Sequence, residues 1–258
     1  MIRFEKLSGA GNDFVLLDGR RAGARPTPAL ARRLCDRKEG VGADGLLVVT
    51  RRSGRPHDVV YLNADGSRAF CGNGTRCAAW WLSLGGAGRV LELRTDQGLV
   101  EARIVGKGRV RISMPPARRL RLGLELRAAG RSWTAHAVDT GVPHAVVLAR
   151  DLAAFPVAAV GAALRRHRAF GKAGANVDFA VAEGPRQAGV RTYERGVEAE
   201  TLACGTGAVA AAVVLEALGK AALPVSVRTR GGRLTVSRGE GRLWLEGPAR
   251  VAFQGRVP

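Results

Sequence analysis

Two hydrophobic periods share this chain. Short segments that are apolar throughout, or that alternate apolar with polar positions, predict strands. In the first half these are "FVLLD" (14–18), "LLVVT" (46–50), "DVVYLN" (58–63), "RVLELRT" (89–95), "LVEARIV" (99–105) and "RVRISM" (109–114). In the second half they are "HAVVLA" (144–149), "VDFAVA" (177–182), "VRTYE" (190–194), "PVSVRT" (224–229), "RLTVSR" (233–238) and "RLWLEG" (242–247). "VGKGR" (105–109) and "TRGGR" (229–233) read as hairpin turns. The helical period appears over 28–37 behind Pro26-Thr27, over 73–84, over 156–168 behind Pro156, and over 206–218 before Gly219. The expected class is α+β, dominated by antiparallel sheet, with one peripheral and one apolar helix in each half.

"MPPARRLRLG" (114–123) is the best candidate for a linker, because consecutive prolines cannot continue a ladder and the basic residues after them favour solvent. It divides the chain into two expected domains, 1–115 with 248–258, and 116–247. The halves echo one another. "GAGNDFVLL" (9–17) resembles "KAGANVDFAV" (172–181), and Cys-Gly-x-Gly occurs at Cys71 and again at Cys204. Internal duplication is the economical account.

The formal net charge of +19 raises the question of nucleic acid. The excess is mostly Arg, with Lys only at Lys6, Lys38, Lys107, Lys172 and Lys220. Doublets such as Arg32-Arg33 and Arg165-Arg166 never grow into a basic run, and no aromatic residues interleave them. Solvated faces are the expectation, with no nucleic-acid partner. The longest apolar run, 208–215, is too short to span a bilayer, and no charged-then-apolar leader opens the chain, so the expectation is a cytoplasmic protein with no membrane partner. Four cysteines, at 35, 71, 77 and 204, form no C-x-x-C pair and no disulfide framework.

The chemistry lies in "AFCGNGTRCAAWWL" (69–82) and "LACGTGAVAAAVVL" (202–215). Random placement would give about 0.07 Cys-Gly-x-Gly matches among four cysteines, and the chain has two. A cysteine at a helix N-terminus is expected to have a lowered pKa, and the N–H groups there bind a carboxylate. Gly at the first and third positions after it is expected to let a ligand approach the backbone. Two such mouths facing one carbon would suit removal of the proton beside a carboxylate by one thiolate and delivery of another from the opposite face. No lysine stands in a motif suited to a pyridoxal Schiff base. His57, His136, His144 and His167 are isolated from other metal ligands. The expectation is an enzyme with no cofactor and no metal.

Six blocks resemble the signatures of the diaminopimelate epimerase family, in family order: "KLSGAGNDFVLLD" (6–18), "GVGADG" (40–45), "NADGSRAFCGNGTRCAA" (63–79), "GVPH" (141–144), "GANVDF" (174–179) and "YERGVEAETLACGTGAVAAA" (193–212). The resemblance implies two pseudo-symmetric domains, each a mainly antiparallel sheet wrapped around a central helix, with the C-terminal strand returning to the first. It also implies a homodimer acting on a small molecule, interconverting LL- and meso-diaminopimelate. Carried onto this chain, it makes Cys71 and Cys204 the acid/base pair. Gly72, Asn73, Gly205 and Thr206 become donors to the reacting carboxylate. Asn12, Asn63, Asn176, Glu194 and Arg195 line the substrate site, with His144 and Glu194 as auxiliary polar groups beside the reacting amino group. Val142 and Gly45 stand where some members carry Asn and Gln.

Blander readings compete at several positions. Cys35 and Cys77 read as small buried hydrophobes. Asn63 and Asn12 could be turn residues, and Glu194-Arg195 a surface ion pair. Proline or hydroxyproline racemases share the two-thiol logic, but their first motif typically reads Cys-Gly-His-Gly.

Overall fold

The computed structural model describes residues 1–21, 24–54 and 56–258. The chain forms β1 (Ile2–Gly9), β2 (Asn12–Asp18), α1 (Pro28–Cys35), β3 (Gly45–Thr50), β4 (His57–Asn63), α2 (Gly72–Leu84), β5 (Val90–Thr95), β6 (Gly98–Gly106) and β7 (Arg109–Met114). It continues with β8 (Arg118–Ala128), β9 (Arg131–Asp139), β10 (Pro143–Leu148), α3 (Val157–Arg165), β11 (Asn176–Gly184), β12 (Gln187–Glu194) and β13 (Ala199–Thr201). The last elements are α4 (Gly205–Ala217), β14 (Val225–Thr229), β15 (Gly232–Gly239), β16 (Arg242–Pro248) and β17 (Arg250–Val257). Two compact units result: Met1–Ser113 with Glu246–Pro258, and Met114–Leu245.

The same pairing scheme runs through both units. In the first, β17 pairs β1 and β1 pairs β2 antiparallel, and β2 pairs β3 parallel. Then β3 pairs β4 antiparallel, β4 pairs β5 parallel and β5 pairs β6 antiparallel. In the second, β8–β9 and β9–β10 are antiparallel and β10–β11 parallel. Next come antiparallel β11–β12, parallel β12–β14 and antiparallel β14–β15. Each parallel step needs a crossover, and α1, α2, α3 and α4 occupy these places. This topology revises the upstream echo read from sequence. The partner of β2 is β10, and that of β3 is β11, so 9–17 and 172–181 sit on non-equivalent strands. They look alike because both run from a Gly-rich turn into an apolar strand. The topological match is "GADG" (42–45) with "GANV" (174–177), where Gly42 and Gly174 share positive φ values of 75° and 69°. Positions 12 and 144, like 42 and 174, are 132 residues apart, close to the 133 that separate Cys71 from Cys204.

The expected linker is half strand. Pro115 and Pro116 do stand outside the sheet, but pairing resumes at Arg118, because the Arg-Leu alternation of β8 suits an outer strand with little to bury. Its ladder slips twice, and Arg119 and Gly123, at φ 54° and 70°, sit in the slipped stretch. Strands β1, β9, β13 and β17 are additional to those the sequence pattern predicts.

Helix ends follow local chemistry. Thr27 caps α1, accepting the N–H of Leu30 at 3.2 Å, with Pro28 opening the helix. The helix stops at Cys35, short of the expected 37, because the Asp36 carboxylate takes the N–H groups of Lys38 and Glu39 at 2.7 and 2.8 Å and turns the chain. Likewise α3 ends at Arg165, and His167 caps a separate 3-10 turn, Arg168–Phe170. The central helices are different in kind. Ten of the thirteen residues of α4 are buried, among strands β9–β12, β14 and β15. Helix α2 packs likewise on β1–β4, β6 and β17. These contacts give each unit a core that surrounds a helix.

The close seating of α3 on β12 generates a test. A Cβ at Gly161 would lie 2.4 Å from Tyr193 Cβ. Alanine gains about 1 kcal/mol of helix propensity over glycine, yet overpacking against a side-chain stem cannot be relieved by rotation. Gly161→Ala is expected to lower the urea midpoint by the equivalent of about 1–2 kcal/mol. A midpoint raised by the substitution would show that α3 stands clear of Tyr193.

Candidate active site

In the first unit, α2 begins on a cysteine. Cys71 is the N-cap, in extended conformation, and its Sγ accepts the N–H of Gly74 at 3.4 Å. The first intrahelical bond runs from Thr75 N–H to the Cys71 carbonyl at 2.8 Å, so the N–H groups of Gly72 and Asn73 lie ahead of it. Asn73 Nδ2 donates to Asn12 Oδ1 at 2.6 Å, and Asn12 Nδ2 donates to Asp44 Oδ2 at 2.9 Å. Asp44 also meets Arg37 at 2.8 Å, and Arg37 and Lys6 both hold Asp13. Burial pushes the Asp13 carboxyl up, but hydrogen bonds from Arg37 and Lys6 outweigh it and bring it down to about 2. Asn63 lies apart from this chain. Its Nδ2 donates to Ser67 Oγ at 2.9 Å and closes a turn, which was its bland reading.

The second unit repeats the device. Cys204 caps α4, and its Sγ accepts the N–H of Gly207 at 3.4 Å and lies 3.4 Å from Thr206 Oγ1. The Thr206 carbonyl accepts the Thr140 hydroxyl at 3.1 Å. Around this mouth the sheet sets a polar row. Strand periodicity places Asn176 and Asp178 on one face of β11. His144 of β10 stands in register with Asn176, and Thr192 of β12 with Asp178. His144 Nδ1 lies 2.7 Å from Asp178 Oδ2, Thr192 Oγ1 donates to Asp178 Oδ1 at 2.7 Å, and Asn176 Nδ2 lies 3.4 Å from His144 Nε2. The Asn176 carbonyl oxygen accepts the backbone N–H of Arg195 at 2.7 Å. Glu194 and Arg195 do not form the surface ion pair that was their blander reading. Glu194 takes the hydroxyl of Thr201, and the Arg195 guanidinium makes no ion pair among the described residues.

Two expectations about the motif need correction. The third-position glycines make room for the core: a Cβ at Gly74 would meet Leu47 Cδ2 at 3.2 Å, and one at Gly207 would meet Asp178 Oδ1 at 2.2 Å. The lowered thiol pKa expected at a helix mouth does not hold at Cys204. Burial pushes that thiol well above its usual value, and the Glu194 and Asp178 carboxylates add to the effect, against the hydrogen bonds from Thr206 and the Gly207 N–H. Cys35 and Cys77 are buried, and burial raises them to about 11 and about 12, as suits small core residues. Among the described residues no three or more His, Cys, Asp or Glu side chains are grouped to hold a metal ion.

Asp178, fully buried, went unread in the sequence. Its signal was a single carboxylate inside the apolar run "NVDFAV", where an unpaired charge would be costly and a partner is therefore implied.

The diaminopimelate epimerase family model matches residues 4–120 and 136–250. The diaminopimelate epimerase of Chlorobaculum tepidum is 38% identical over 259 residues, covering 97% of this chain and 99% of that protein. That of Gemmatimonas aurantiaca is 40% identical over 279 residues, covering 98% of each. The chain belongs to the diaminopimelate epimerase family. Solved structures extend the likeness at the level of fold. A probable proline racemase from Agrobacterium radiobacter superposes with a TM-score of 0.76 at 17% identity, over 100% of this chain and 93% of that one. A PhzF-family phenazine biosynthesis protein from Bacillus anthracis gives 0.76 at 13% identity, over 100% and 99%. The α+β architecture of two like units is thus common to proteins of differing names, whereas the family match rests on the sequence of this chain.

The carboxylates beside Cys204 can be tested within the family frame. Asp178→Asn keeps the shape and the acceptor for Thr192 but removes one of the charges opposing thiolate formation. The midpoint of Cys204 alkylation by iodoacetamide, followed against pH by peptide mass spectrometry, should move to lower pH, with Cys71 as internal reference. An unmoved midpoint would show that Asp178 does not act on this sulfur.

Proposed function

We propose that this protein interconverts LL- and meso-diaminopimelate without a cofactor, using Cys71 and Cys204 as base and acid. The observation that carries this reading is one device used twice: a buried central helix that opens on a cysteine whose sulfur takes the N–H of the third residue on. In one direction the Cys71 thiolate removes the α-proton. The electron pair left on carbon spreads into the carboxylate, and the Cys204 S–H gives its proton to the opposite face. The enzyme is left with a Cys71 thiol and a Cys204 thiolate, the state needed for the reverse reaction. The high pKa of the Cys204 thiol supports its starting as the acid.

Negative charge on the carboxylate falls to N–H groups of Gly72, Asn73, Gly205 and Thr206, donors already in place at positive helix ends. Asn12, Asn63, Asn176, Glu194 and Arg195 line the rest of the substrate site in this reading. The guanidinium of Arg195, with its planar fork, suits the distal carboxylate. His144 and Glu194 serve the reacting amino group. The family relationship also supports a role in lysine and peptidoglycan synthesis, and the assembly proposed is a cytoplasmic homodimer.

The deciding experiment is epimerisation of LL-diaminopimelate with no added cofactor, with proline offered in parallel. In deuterium oxide, early product should carry deuterium at the inverted carbon while recovered substrate keeps hydrogen, because each sulfur holds a single proton. Cys71→Ala and Cys204→Ala should each lose at least about a hundredfold in both directions. Substrate-derived hydrogen retained in the product, or an Ala variant with near-normal turnover, would remove the two-thiol mechanism.

The reading also requires both sulfurs to reach one carbon. Mild oxidation of the substrate-free enzyme should therefore link Cys71 to Cys204, with activity recovered on reduction. Peptide maps showing the two cysteines unlinked and activity intact would count against it.

A further inference from the structure

Arg76 lies in α2, one turn beyond Asn73, and is fully buried. A guanidinium has five N–H donors and accepts nothing. Here Nη2 donates to Asn73 Oδ1 at 2.6 Å, while the buried Nε and Nη1 have no hydrogen-bond partner. No ion pair to Arg76 is found among the described residues. A core packed for stability alone would place an apolar side chain here, since a buried charge without a carboxylate is costly. Burial brings its pKa down to about 10, which still leaves it charged at neutral pH.

The bond Arg76 makes starts a directed chain. Arg76 donates to Asn73, Asn73 donates to Asn12 at 2.6 Å, and Asn12 donates to Asp44 at 2.9 Å. One end is a group that can only donate, and the other is an ionised carboxylate that can only accept. An amide between such ends has a single allowed orientation. If either amide flipped, oxygen would face oxygen or donor would face donor. Without Arg76, Asn73 loses the group that tells its oxygen where to point, and the order of the chain relaxes from that end.

We propose that Arg76 is a positioning residue that fixes the amides of Asn73 and Asn12 in one orientation at the mouth of α2, with Asn73 Nδ2 held on Asn12 and Asn12 Nδ2 held on Asp44. This rests on reading that mouth as the substrate site. Arg76 does not itself touch substrate. The proposal concerns how two asparagines are aimed.

A double-mutant cycle on kcat/KM for diaminopimelate, normalised to folded enzyme and run beside wild type, tests it. Arg76→Met should lower kcat/KM by about tenfold or more alone, but by less than about twofold when Asn73 is already Ala. Arg76→Lys, which keeps the charge and loses the fork, should fall between. A folded Arg76→Met enzyme with wild-type kcat/KM, or losses that multiply independently, would overturn the proposal, since a purely structural residue lowers the melting temperature and leaves folded molecules unchanged. If Arg76→Met does not fold, Arg76→Gln takes its place in the cycle, and the wild type decides as well. Its Asn73 and Asn12 side-chain amide protons, assigned by NMR with Asn73→Ala and Asn12→Ala, should exchange slowly with solvent, and fast exchange would refute the lock. A wild type that turns over no diaminopimelate would defeat the functional reading, leaving amide exchange to judge Arg76.

Discussion

A helix sunk into a core still needs partners for the N–H groups of its first turn, and those at its mouth must be met by a cap or left as donors for a ligand. That constraint organises both units of this molecule. In both α2 and α4 the side chain at the N-cap accepts a first-turn N–H, and in both the acceptor is a cysteine sulfur. Sulfur is a poorer acceptor than the oxygen of Ser or Asp. A weak cap at the mouth of a core helix makes poor sense for stability and good sense if the sulfur must also exchange a proton. The surrounding strands enclose both helices.

The two mouths are alike in backbone and unlike in charge. Beside Cys71 lies the buried guanidinium of Arg76, which has no carboxylate partner among the described residues. Beside Cys204 lie the Glu194 and Asp178 carboxylates, the second bonded to His144 and Thr192. The same pairing scheme frames both mouths, and groups of opposite charge lie beneath them. The polar contacts keep a trace of the common plan: Asn12 bonds Asp44 in one unit, and His144 meets Asn176 at the corresponding strands of the other. In both units an outer strand completes the sheet, from the far end of the chain in one and from the preceding hairpin strand in the other. The unit that begins with β1 receives β17, and β9 receives β8.

Much of this was legible in the chain itself. Period-two segments and hairpin turns located most of the strands in both halves, because side chains must alternate when one face of a strand is buried. The two Cys-Gly-x-Gly blocks marked the starts of α2 and α4, because a helix start has local chemical requirements that neighbouring residues must meet. The signature blocks also carried the family. Those features are local, so they survive in one dimension.

What the chain alone could not decide depends on partners distant in sequence. Asp178 reads as an oddity in an apolar strand until β10 and β12 bring His144 and Thr192 to it. Arg76 reads as one more arginine among many until burial strips it of water and leaves Asn73 as its acceptor. The expected lowering of the Cys204 pKa was a sound rule for an exposed helix end, and it was reversed by burial and by two carboxylates from other strands. β8 looked like a linker because its exposed, Arg-rich pattern buries little, although its partner β9 follows directly in a hairpin that pairs Ala128 with Arg131. Sequence determined where the helices begin and which residue stands at each mouth, since those are matters of adjacent backbone. Tertiary structure decided the charge around each mouth, since electrostatic energy depends on distance and dielectric, and neither exists until the chain has folded.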